Sequence, residues 1–243
     1  LVTAASTAAA PACAHASRDG TMRRGRGLAR LFVIAALGVL TGHADPRLDR
    51  VEATAQARYG AAVAERVRHW RGTLAALAGA SEREQLEHIN RYINRQVRFS
   101  DDPVVWQQKD YWATPLETYW KQAGDCEDFV IAKYFSLRQL GIANEKLRLI
   151  YVRAKIGGPN SSLTQAHMVL GYYATPTAEP LVLDNLLGDI HPASRRTDLF
   201  PIFSFNSSGL WVQGASTPSA SATARLSRWR DLIDRMRAEG FEQ

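Results

Sequence analysis

The chain has 243 residues, 46% of them hydrophobic and 22% charged, enough for one domain with a substantial core. Its net charge of +6 suggests a nucleic-acid binder, but 5 of the 30 basic and 1 of the 24 acidic side chains lie in residues 1–44, leaving 25 against 23. The remainder is about +2. With no basic tract interleaved with aromatics, nucleic acid is set aside.

Residues 1–44 read as a leader. Met22 to Arg30 carries Arg23, Arg24, Arg26 and Arg30, Leu31 to Leu40 is apolar, and Gly42 and Ala44 are small residues of the kind a signal peptidase reads. The apolar run is too short to span a bilayer. The expectation is translation from Met22, which would make Cys13 an artefact, with cleavage after Ala44 and export to the periplasm. Cys126 is then the single cysteine of an exported chain and cannot form an internal disulfide.

From Pro46 to about Leu77, Leu48, Val51, Ala55, Tyr59, Val63, Val67 and Trp70 recur at spacings of three and four, predicting one amphipathic helix broken by Gly79-Ala80. Ser81 with Glu84 forms a capping box for a second helix, whose apolar face carries Leu86, Ile89, Ile93 and Val97. His88, beside that face, reads as a surface or packing residue. Phe99 to Trp112 is an aromatic-rich loop containing Asp101-Asp102-Pro103. Thr114-Pro115-Leu116-Glu117 then starts a short helix running to about Ala123.

Gly124-Asp125-Cys126-Glu127-Asp128 opens the central helix. Asp125 is the expected cap with Asp128 completing a capping box, and Gly141 is the left-handed stop. Cys126 in the first turn is favoured as a thiolate by the helix dipole and opposed by three neighbouring carboxylates. A histidine from elsewhere or a bound cation would offset them. A buried structural cysteine at a capped helix start is the alternative.

After Gly141 the pattern alternates. Leu147 to Arg153, His167 to Tyr173 and Leu181 to Leu186 read as strands of an antiparallel meander, with Phe200 to Phe205 and Leu210 to Val212 as two further strands. Residues 214–222 form a linker, and 224–239 an amphipathic helix carrying Leu226, Trp229, Leu232, Ile233 and Met236, expected to dock on the domain rather than on a partner. Helices followed by strands predict a single α+β domain over 45–243.

A thiol nucleophile needs a base and an orienting acceptor, and Cys126, His167 and Asp184 follow in that order. If the strands around Ala174-Thr175-Pro176 pair, His167 and Asp184 sit side by side on one sheet edge. A structural histidine and a strand-ending Asp184-Asn185 turn are the alternatives.

Trp112-x-x-Pro115-x-Glu117, Gly124-Asp125-Cys126-Glu127-Asp128, Ala166-His167-Met168-Val169-Leu170 and Val182-Leu183-Asp184-Asn185-Leu186 resemble the bacterial transglutaminase-like cysteine proteinases, and among them the LapG-type periplasmic proteases. The resemblance spans about residues 48–212. It implies a papain/transglutaminase-like α+β fold with the cysteine helix packed on an antiparallel β-sheet. It also implies Cys126 as nucleophile, His167 as general base and acid, and Asp184 as orienting carboxylate. Calcium is implied too, and Asp125, Glu127 and Asp128 offer the oxygen ligands a hard cation prefers. The substrate implied is the N-terminal retention segment of a large surface adhesin, whose cleavage disperses a biofilm. An inner-membrane cyclic-di-GMP receptor of LapD type is the implied inhibitor. Two other readings stay open: a transglutaminase or cell-wall amidase with the same triad, and a non-catalytic calcium-dependent binding module.

Overall fold

In the computed structural model, which describes residues 46–157, 161–212, 217–219, 221 and 226–241, the first element is a helical hairpin rather than the single helix expected from Pro46 to Leu77. Helices α1 (Pro46–Tyr59) and α2 (Ala61–Leu77) are separated by Gly60 at φ 89°. That left-handed φ favours glycine, so the chain reverses there without strain. Arg71 pairs back to Asp49 and Glu52, and Arg68 to Glu52. The apolar periodicity is correct in both halves, but it serves two helices packed on each other. The expected leader, including Cys13 and the cleavage site after Ala44, lies outside the described residues.

Helix α3 (Glu82–Gln96) starts at the expected capping box of Ser81 and Glu84 and buries Leu86, Ile89 and Ile93. The expected loop after it contains a strand, β1 (Arg98–Phe99), and one helical turn, α4 (Asp102–Val105). Helix α5 (Pro115–Lys121) is capped by Thr114 and Glu117 as expected, and Gln122 leaves it in the left-handed region at φ 50°. Strand β2 (Ala123–Gly124) then pairs parallel with β1, Arg98 opposite Ala123 and Phe99 opposite Gly124. This two-residue ladder brings the Asp101-Asp102 segment alongside Asp125.

Helix α6 (Cys126–Gln139) runs through the centre with every residue from Asp128 to Leu137 buried. Such a helix is covered on all sides because helices surround one flank and a sheet the other. Trp70 of α2 donates to Ser136 Oγ at 2.9 Å, anchoring the hairpin to it. Gly141 at φ +90° ends it, with the Ile142 N–H bonded back to the Leu137 carbonyl at 3.1 Å, as a left-handed stop requires.

The sheet comprises β3 (Leu147–Lys155), β4 (Thr164–Tyr172), β5 (Leu181–Leu183), β6 (His191–Pro192), β7 (Leu199–Phe205) and β8 (Leu210–Val212). All pairings are antiparallel, in the order β6-β5-β4-β3-β7-β8. Strands β3 to β5 form the expected meander, β6 adds a strand that was not expected, and β7 crosses back to pair with β3. Leu149, Leu170, Leu183 and Phe205 join the main core with α6. Ile150, Val152, Ala154, Val169 and Val182 form a second, smaller cluster. Because residues of both parities are covered, β3 is buried almost throughout rather than alternately.

Helix α7 (Ser227–Ala238) docks on the domain as expected, burying Trp229, Leu232, Ile233 and Met236. Trp229 stacks on Phe135 at 6.0 Å and meets Phe205 edge-on at 5.3 Å. Of the expected linker 214–222, residues 217–219 and 221 are described. The described residues lie in one compact unit, Thr41–Gln243, and no helix among them is long and apolar enough to cross a membrane. The architecture is α+β, as the sequence predicts.

Candidate active site

Cys126 occupies the first position of α6, partly buried, with its thiol directed at Glu127 Oε2, 2.8 Å away. Burial pushes the thiol pKa far up, and Glu127 and then Asp125 push it further; the Met168 backbone N–H is the group that lowers it. In this arrangement the sulfur holds its proton. The expected capping box at this helix start is not formed: Asp125 sits at the N-cap but makes no side-chain cap bond. Asp128 instead accepts from the Ala113 backbone N–H at 2.8 Å.

These carboxylates turn toward a third one. Ligand oxygens of Asp102, Asp125 and Asp128 lie within 4.8 Å of one another. Asp102 and Asp128 are 2% and 0% exposed, and Asp102 Oδ1, Asp125 Oδ1 and Asp128 Oδ2 are buried without a hydrogen-bond partner. Three orphaned buried acceptors in one place are the chemistry a hard cation satisfies. Burial pushes all three carboxyls above their ordinary range, Asp125 to about 10 with Glu127, Asp128 and Asp102 adding to it. Gly124 makes the cluster sterically feasible, since a Cβ there would lie 2.3 Å from Asp128 Oδ2 and 2.7 Å from Asp128 Cβ.

Asp102 was not among the sequence-predicted ligands. It is distant in the chain from Asp125 and Asp128 and shares no periodic pattern with them, and only the β1–β2 ladder brings it in. The sole sequence signal was a doubled aspartate before Pro103 in an aromatic loop. Glu127, expected with Asp125 and Asp128, has one carboxylate oxygen on the Cys126 thiol.

The second constellation is closed by the protein's own groups. His167 on β4 and Asp184 just after β5 are 2% and 0% exposed, with Nε2 and Oδ1 2.8 Å apart. Asp184 Oδ1 also accepts from the Leu186 backbone N–H at 3.0 Å, and Oδ2 from Arg196 at 2.8 Å. Burial raises the Asp184 pKa, but His167, the Leu186 amide and Arg196 outweigh it and hold the carboxyl down at about 2. Asp184 is therefore a fixed anion, oriented by three donors.

His167 does not lie on an edge strand, since β4 sits between β3 and β5. Strand β5 is only three residues long, however, and its pairing with β4 begins at Leu170. Among the described residues, β4 has no strand partner on its β5 side from Thr164 to Val169. The structure thus joins His167 to Asp184 directly. It packs the Cys126 helix against β4, with the thiol bonded to Glu127 and the imidazole to Asp184 rather than to each other.

The model of one protein family, described as bacterial transglutaminase-like cysteine proteinase, matches residues 65–213. No curated protein matches the chain. Among solved structures, LapG of Legionella pneumophila is 36% identical, covers 78% of this chain and 97% of its own, and superposes with a TM-score of 0.66. EGTA-treated LapG of the same organism is 36% identical with a TM-score of 0.68, again over 78% and 97%. Calcium-bound LapG is 38% identical with a TM-score of 0.65, over 78% and 98%.

Proposed function

The chain belongs to the bacterial transglutaminase-like cysteine proteinases, and from that premise we propose that it is a calcium-dependent periplasmic endopeptidase acting through Cys126, His167 and Asp184. The observation that carries this reading is the buried His167–Asp184 pair, with His167 on β4, the strand against which the Cys126 helix packs. Asp184 engages Nε2, which leaves Nδ1 of the imidazole to serve the thiol.

Catalysis begins when Glu127 releases the thiol and the Cys126 proton passes to His167 Nδ1. The sulfur attacks the peptide carbonyl carbon, and a backbone N–H at the helix start stabilises the oxyanion. The imidazolium, steadied by the Asp184 anion, protonates the leaving amine as the C–N bond breaks. His167 then takes a proton from water, which attacks the thioester and frees the acid and the thiol.

Asp102, Asp125 and Asp128 would hold calcium, with Glu127 adjoining them. When bound, calcium supplies positive charge that offsets the carboxylates around the nucleophile. Calcium-bound and EGTA-treated forms of Legionella LapG support this choice of cation.

The substrate we propose is the N-terminal retention segment of a large surface adhesin, cut in a small-residue context to release the adhesin and disperse a biofilm. Control falls to an inner-membrane cyclic-di-GMP receptor that sequesters the protease. The test incubates the purified chain with the adhesin segment from the same genome, in calcium and in EGTA, beside Cys126→Ala. A discrete cut requiring both Cys126 and calcium is expected. Cleavage by Cys126→Ala would refute the nucleophile, and amine incorporation or muropeptide release in place of cleavage would move the assignment to a transglutaminase or an amidase.

A further inference from the structure

A cavity of about 310 Å³ lies against the sheet, walled by Ile150, Val152, Val169 and Val182. Its size is at the lower end of small-molecule pockets, roughly 300–1,000 Å³. Neither Cys126, His167 nor Asp184 lines it.

The cavity wall also carries Arg148, Arg196 and Trp211, which are 8%, 4% and 8% exposed. Each presents a buried N–H with no acceptor: Arg148 Nε, one terminal nitrogen of Arg196, and Trp211 Nε1. Buried donors without acceptors are rare in native proteins, and three around one cavity call for an acceptor inside it. The charges differ. Arg196 is neutralised by Asp184 and Asp198, both at 2.8 Å. Arg148 has no carboxylate paired with it among the described residues. Its guanidinium lies 4.5 Å from the Tyr173 ring centre and 4.2 Å from that of Trp211. Two aromatic faces stabilise such a cation, but its Nε–H remains without an acceptor.

We propose that this cavity is a binding site for a small carboxylate with an apolar body, its head against Arg148 and the Trp211 indole N–H and its body along the valine and isoleucine wall. A guanidinium matches a carboxylate in shape and charge, and the valine and isoleucine wall suits a hydrocarbon body. The site stands independently of the protease assignment.

The test is titration of the purified chain with octanoate and with 1-octanol, followed by calorimetry and by tryptophan fluorescence, with Trp211→Phe identifying the reporting indole. Octanoate is expected to saturate at least tenfold more tightly than octanol. Arg148→Met is expected to weaken octanoate about tenfold and leave octanol within about twofold. Absence of saturable octanoate binding, equal affinity for the two probes, or unchanged octanoate affinity in Arg148→Met would each overturn the site. If Arg148→Met does not fold, the octanoate-to-octanol ratio on the unmodified chain decides the matter, with the fluorescence change required to vanish in Trp211→Phe.

Discussion

One buried carboxylate and a cluster of three belong to the candidate site, and their charge is met in opposite ways. Asp184 is surrounded by donors from the chain itself, His167, Arg196 and the Leu186 amide, and is held at about 2. Asp102, Asp125 and Asp128 face one another with three oxygens unpartnered and all three carboxyls pushed up. The contrast supports the roles proposed for them. A carboxylate that must stay ionised to orient an imidazole carries its counter-charge in the fold, whereas a cluster meant for a cation leaves its counter-charge outside.

The largest effect comes from breaking the closed set at its centre. Asp184→Asn removes the anion behind His167, and peptide cleavage should fall by roughly 10³–10⁴-fold, as loss of the orienting carboxylate does in triad enzymes. Single-turnover rates against the adhesin segment measure it, and an unchanged rate would remove Asp184 from the mechanism.

The open set responds to its missing charge. Calcium at about one hundred times its dissociation constant should stabilise the fold by about 2.7 kcal/mol, raising the melting temperature by roughly 5–10 °C for a domain of this size. Asp128→Asn should abolish the rise. A melting curve indifferent to calcium in the unaltered chain would mean that the cluster is neutralised by protons instead.

Arg196→Met makes the closed set resemble the open one. Asp184 titrates lower in the fold than in the unfolded chain, so its stabilisation is full above about pH 4 and is lost as pH falls toward about 2. Removing Arg196 raises the Asp184 pKa and takes away part of a contribution worth about 2 kcal/mol at neutral pH. The gap between unaltered and variant stability should therefore narrow as pH drops from about 4 to about 2, as urea midpoints would reveal. A gap independent of pH would assign Arg196 a packing role.

Glu239 is a smaller, intermediate case. It is 1% exposed, accepts from the Tyr59 hydroxyl at 3.2 Å, and burial with Glu117 pushes its carboxyl up to about 7. Between about pH 4 and 7 the folded chain keeps a proton that the unfolded chain has lost, so this group's contribution declines as pH rises through that window. Glu239→Gln, which cannot ionise, should gain about 1 kcal/mol at about pH 8 and little at about pH 4. An equal gain at both values would point to packing rather than charge.

How much of this was legible in the sequence depended on the range of the interaction. The capping boxes at Ser81 and Thr114, the Gly141 stop and the docked face of α7 are local patterns, and each is present as read. The His167–Asp184 pairing was readable because their strands are consecutive in the chain and pair antiparallel. The Asp125–Asp128 capping box was misread: its residue types suit a cap, but their side chains turn to Asp102 and Ala113. The first helix was read as continuous because periodicity alone does not register a reversal at a single glycine.

The sequence by itself determined the α+β order, the position of Cys126 at a helix start and the order Cys126, His167, Asp184, since these follow from short-range backbone bonding and hydrophobic period. Tertiary structure alone decided, among the described residues, that Asp102 joins Asp125 and Asp128, that a three-residue β5 leaves the His167 half of β4 unpaired on that side, and that Arg148 is buried without a carboxylate. Each depends on which distant segments pack together, and burial converts an ordinary charged residue into one that must find a counter-charge.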